Sequence, residues 1–182
     1  MIINRAYINI TNKNDRNIIN QILEEFFNEI EITWNNDIGM ISTINKESFH
    51  LQLSKFLSTV FLDFNIQLSV LIVPFFYDIF LKYFSKMNNE VCSAFEIFLR
   101  NINEQFVKKD ATTILNSINK NDLDTLDAFL KCNANSCVTA NELFIHRNTF
   151  NYRVNHLNNE TNIDIRDLNS LMFLKLIINI CA

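Results

Sequence analysis

A chain of 182 residues with 48% hydrophobic and 20% charged side chains has an ordinary globular composition, which excludes disordered and fibrous classes and leaves room for one large or two small domains. Its formal net charge of −4 supplies no overall basic field, so a nucleic-acid partner would have to be met by a local patch. One glycine and one proline stand against 17 phenylalanines, so asparagine and aspartate must fill the turns and caps, and helix should dominate.

Residues 2–10 read as a strand, and residues 15–28 as an amphipathic helix with Ile18, Ile19, Ile22, Leu23 and Phe26 at helical spacing. Residues 29–43 alternate apolar and polar positions around Asn35, Asn36 and Asp37, which predicts a β-hairpin. Helical spacing returns over residues 46–62 through Phe49, Leu53, Leu57 and Val60, and a β-branched run over 66–74 is ended by Pro74. Strand, helix, hairpin, helix, strand is an α+β order, packed as a small sheet with helices on one face. Three helices are expected next, over residues 76–86, 89–107 and 110–118. In the middle one Phe95, Phe98, Leu99 and Ile102 form an apolar stripe, and the phenylalanine-rich helices between residues 76 and 107 are the expected dimer interface. The polar stretch from Asn116 to Asn121 marks a boundary between a first domain at 1–118 and a second, all-helical one at 119–182.

From Asp122, expected as a helix cap, the pattern tightens. Leu123, Leu126 and Leu130 share one face, with Phe129 beside them. Asn133, Ala134 and Asn135 make a turn, and Ser136 is placed to cap a helix holding Thr139, Ala140 and Leu143. His146 is placed to cap a third helix, Arg147 to Leu157, anchored by Phe150, Val154 and Leu157. That succession is the helix-turn-helix order. The third helix carries Arg147, Asn148, Asn151, Tyr152 and Asn155 on its remaining surface. Arginine and asparagine forks match guanine and adenine edges, which points to double-stranded DNA as the partner. Between Ile145 and Asn158 stand two arginines, two histidines and no acid, a locally positive surface in an acidic chain.

The run His146, Arg147, Asn148, Thr149, Phe150, Asn151, Tyr152, Arg153, Val154, preceded by Asn135, Thr139, Ala140 and Leu143, resembles the C-terminal helix-turn-helix of the PucR and CdaR (sugar-diacid regulator) family of transcriptional regulators. The likeness spans Leu123 to Leu176. Phe150 and Val154 replace leucines, and Asn162 stands where the family usually has glycine, a change that αL geometry tolerates. The resemblance implies a cytoplasmic, homodimeric regulator whose DNA-binding residues are Arg147, Asn148, Thr149, Asn151, Tyr152, Arg153 and Asn155. The family often carries upstream a domain similar to the sheet of GGDEF cyclases, and residues 2–74 follow that order. Their hairpin turn, TWNNDIGM, lacks the paired glycines and acidic pair that phosphate and metal would need, so the resemblance implies a degenerate sensor or dimerisation unit for an unidentified small-molecule effector.

Other readings are weaker. Cys92, Cys132, Cys137 and Cys181 show no CxxC pair, and with His50, His146 and His156 they give no zinc spacing, so reduced thiols and no metal or cofactor are expected. MIINRAYINI does not look like a signal peptide. The apolar stretch 57–82 is broken by Asp63, Asn65, Gln67, Pro74 and Asp78, against a membrane span. Glu24 and Glu25, or Asp122, Asp124 and Asp127, fit solvated helix faces better than catalytic carboxylates, and no enzyme is expected. Arg153 has a structural alternative, pairing with Glu142 or Asp167 while its stem packs on the core, and Tyr152 one as core-edge packing. The alternative function is a non-enzymatic adaptor or dimerisation bundle that binds no DNA.

Overall fold

The computed structural model describes residues 3–44, 48–75, 77–161 and 163–182. They divide into two compact units, Met1–Ile97 and Phe98–Ala182. The first holds β1 (Asn4–Ile10), α1 (Arg16–Phe26), β2 (Ile30–Asn35), β3 (Ile38–Thr43), α2 (Phe49–Phe64), β4 (Leu68–Val73) and β5 (Val91–Ser93), so the small helix-covered sheet is present. The strand order is β2-β3-β1-β4-β5, antiparallel throughout except for β5, which runs parallel to β4. Ala6, Ile8 and Ile10 of β1 point into one core with Ile19, Ile22 and Leu23 of α1 and Leu53, Phe56 and Val60 of α2. Rings lock it edge to face, Phe26 on Phe56 at 6.2 Å and Phe27 on Phe49 at 5.7 Å.

The hairpin turns at Asn36, whose φ of 51° is the left-handed conformation asparagine tolerates. Gly39, the one glycine of the chain, pairs with Trp34 across it. A Cβ there would lie 2.9 Å from the indole, so the glycine serves packing of the ring. The indole donates to Asn20 at 3.0 Å and lies 5.4 Å beneath the Arg16 guanidinium, which also donates to the Asn36 carbonyl.

Two expectations need correction. Residues 78–86 form a 3₁₀ segment rather than an α-helix. The helix expected over 89–107 is instead the short β5, then α3 (Ala94–Arg100), and α4 runs from Gln105 to Asn116. The physical cause is a capping box: the Glu96 carboxylate accepts from the Ser93 N–H at 2.7 Å and hydroxyl at 2.8 Å, while the Ser93 hydroxyl accepts from the Glu96 N–H at 3.2 Å. A helix therefore starts at Ala94. Its buried side chains are Ala94, Ile97 and Phe98, whereas Leu99 and Ile102 are 47% and 42% exposed. The two compact units meet in the chain at 97/98, with α4 packed on the C-terminal helix and Phe98 5.1 Å from Phe173.

Tyr7, on the sheet face away from α1 and α2, is buried at 2% exposure. Burial first, and then the Asp78 charge, push its phenol from 10 up to about 12, against a hydrogen bond with the Tyr77 backbone that works the other way. The neutral form is thus favoured by folding. Stability from this group is complete below pH 10 and is lost as pH rises through 12, by about 1 kcal/mol at pH 11. Urea midpoints at pH 9 and pH 11 should differ accordingly, and Tyr7→Phe should remove that part of the slope. An unchanged slope in the variant contradicts the assignment.

The four cysteines are thiols. Among the described residues no helix is long and apolar enough to cross a membrane: the stretch 57–82 is the end of α2, β4 and the 3₁₀ segment.

Candidate nucleic-acid interface

The second unit continues with α5 (Lys120–Lys131), α6 (Ser136–Glu142), α7 (Arg147–Thr161) and α8 (Leu168–Cys181). Two caps differ from expectation, each by asparagine taking the role of a later residue. Asn119, not Asp122, caps α5: its side-chain oxygen accepts from the Asp122 N–H at 3.0 Å, and its amide donates to the Asp122 carboxylate at 2.6 Å. Asn135, not Ser136, caps α6, accepting from the N–H groups of Cys137 and Val138 at 3.0 and 3.1 Å. His146 does bond the start of α7, its Nδ1 accepting from the Asn148 N–H at 3.2 Å.

Helix α5 buries Asp122, Thr125, Leu126, Ala128 and Phe129, while Leu123 and Leu130 are only half-buried. The contact face is therefore rotated from the leucine stripe towards Thr125 and Phe129. Helix α7 packs on it and on α6 with Phe150, Val154 and Leu157, each 1% exposed, and the Phe150 ring lies 5.5 Å from that of Phe129. Thr139 and Ala140 are the buried residues of α6.

The predicted site residues divide by what they touch. Arg147, Asn148, Thr149 and Tyr152 are exposed on the first turns of α7, and Asn151 is half-buried beside them. Arg153 is turned inward, its guanidinium donating to the Thr125 hydroxyl at 3.5 Å. One turn on, the His156 Nδ1 lies 3.4 Å from the buried Asp122 carboxylate. These two contacts tie the polar flank of α7 to α5. Asn155 is exposed, yet its side-chain carbonyl accepts from Arg166 at 2.8 Å. Arg166 is a residue that sequence reasoning missed. It adds an exposed cation to the α7 surface from a loop that spacing within α7 does not reveal. Asn162 lies outside the described residues.

The surface thus offers planar hydrogen-bonding forks and guanidinium groups on one helix end, with a polar latch and an apolar core behind. Such groups are chemically able to donate hydrogen bonds to phosphate oxygens and base edges; among the described residues no cluster of histidine, cysteine or carboxylate is placed to hold a metal ion.

Residues 122–180 match the family model described as the PucR C-terminal helix-turn-helix domain. No curated protein matches the chain. Among solved structures the chain is similar to the crystal structure of a regulator of polyketide synthase expression from Bifidobacterium adolescentis, at 12% identity and a TM-score of 0.47, over 98% of this chain and 79% of that one. A likeness that slight carries no argument.

Proposed function

We propose, on the match of residues 122–180 to the PucR C-terminal helix-turn-helix model, that this protein is a cytoplasmic, non-enzymatic transcriptional regulator of the PucR/CdaR type that reads the major groove with α7. The observation that carries the reading is the split of α7 itself. Phe150, Val154 and Leu157 are buried, while Arg147, Asn148 and Thr149 lie exposed at its N-terminal end, the part of a recognition helix that enters the groove. The DNA-binding domain is assigned to 119–182, and 1–118 to effector sensing or dimerisation. One such helix reads few base pairs, so a homodimer on half-sites about one helical turn apart supplies the rest. Phe80, Phe84 and Phe98 are buried inside the protomer, and among the described residues of 76–107 Leu99 and Ile102 are the exposed large apolar side chains available to an interface.

Selection of bound sites from a random duplex library with the whole chain tests binding, specificity and two-fold symmetry at once. The whole chain is used because α4 and Phe98 pack on α8. The selected duplex should bind with an affinity that falls about tenfold or more between 50 and 200 mM salt, as a few phosphate contacts release counterions. Binding of no duplex at all would transfer the assignment to an adaptor bundle.

A further inference from the structure

Helix α6 ends in a Schellman motif: the Ile145 N–H donates to the Ala140 carbonyl at 2.9 Å and the Phe144 N–H to that of Asn141 at 3.0 Å. The motif forces residue 144 into the left-handed conformation, and Phe144 has φ 53°. Glycine is the usual occupant of this position, because a Cβ is strained there. Among the described residues, left-handed backbone at non-glycine positions occurs at Asn36, Asn65, Asn89, Asn133, Ala134 and Phe144. The chain thus answers this demand with asparagine four times, including Asn133 in the same motif at the end of α5, and departs furthest from it at Phe144.

A large side chain in a strained position is ordinarily offset by burying it. Phe144 is 96% exposed, more than any other large apolar side chain of the described residues. Neither local backbone preference nor the core accounts for it. In the chain it stands directly before the proposed reading surface: the His146 Nδ1 accepts from the Asn148 N–H at the start of α7, and Arg147 and Asn148 are both exposed.

We propose that Phe144 is a DNA-contacting residue, its ring packing on the apolar edge of the duplex, a thymine methyl or a deoxyribose, beside the base pairs met by the first turn of α7. This rests on the DNA-binding reading above. Apolar contact with the thymine methyl is a specificity element that hydrogen-bonding forks cannot supply, and a phenylalanine presented by the turn extends the surface beyond the helix. The strain at Phe144 is then a price of function, and a residue that relieves it should improve folding while weakening binding.

The test uses the whole chain on the duplex selected by the wild type. Phe144→Gly should lower affinity about threefold to tenfold, as expected for losing a small buried apolar contact, with a Tm equal to or above that of the wild type. Phe144→Leu should keep most of the affinity. Replacing thymine by uracil at each position in turn distinguishes the sources: loss at one position in the wild type and none in Phe144→Gly identifies a base methyl, and equal behaviour throughout identifies the sugar. If the wild type binds and Phe144→Gly binds as tightly, the proposal is overturned while the regulator reading stands. It is also overturned if sedimentation shows that the variant loses affinity only by losing its dimer. If the wild type binds no duplex, the regulator reading itself has failed and the contact with it.

Discussion

Phe150→Ala is expected to unfold the helix-turn-helix while leaving the sheet unit folded. The Phe150 ring is 1% exposed and sits between α5 and α7, 5.5 Å from Phe129, so its removal leaves a cavity that neither helix can close without abandoning Val154 and Leu157. Loss of a buried phenylalanine costs about 3 to 5 kcal/mol, a large share of the stability of a unit this size. The single tryptophan, Trp34, lies in β2 and reports on the other unit, which makes the two separable in one experiment. Helical ellipticity should fall at lower urea than in the wild type, with the Trp34 fluorescence transition in place. A helical midpoint shifted by less than about 1 kcal/mol would show that the ring is not the keystone of the bundle.

Single replacement of Arg147, Asn148 and Asn151 by alanine should relax sequence preference without moving the melting midpoint, since Arg147 and Asn148 are exposed and Asn151 lies on the same flank. A lost base contact costs about 1 to 3 kcal/mol at its own base pair, whereas a lost phosphate contact weakens every duplex alike and lowers the salt slope by about one. Competition of the selected duplex against single-base variants separates the two. Arg153→Ala should behave otherwise, because Arg153 is engaged with Thr125: its loss should lower the midpoint and leave preference intact. Should all three surface variants keep the wild-type preference, α7 is not the reader, even in a protein that binds DNA.

The N-terminal architecture was legible where periodicity was clean. The alternation of 29–43 and the asparagines at its centre produce the hairpin found at Ile30–Thr43, and β4, apolar at every position but Ser69, reads as a strand without alternation because it is buried on nearly every residue. Legibility failed at 89–107 for a definite reason. Phe95, Phe98, Leu99 and Ile102 do fall at helical spacing, but Ser93 and Glu96 start the helix late, and a strand of three residues, Val91–Ser93, is too short to show alternation. The serine and glutamate three apart were the signal that would have placed the start.

By itself the sequence determined the local elements of the helix-turn-helix and the spacing of Phe150, Val154 and Leu157, since a helix of that composition has only one face to bury. It also determined that asparagine would serve most of the left-handed turns, there being a single glycine to use. Only the tertiary structure decided which polar residues of α7 are engaged within the chain. Arg153 is drawn to Thr125, 28 positions away, and Asn155 to Arg166, 11 positions away, and helical spacing sets the direction of a side chain without saying what stands opposite. The same holds for α5, where the leucine stripe and the face of Thr125 and Phe129 are both regular. Packing chose the second because it sets Phe129 on Phe150 and Asp122 within reach of His156.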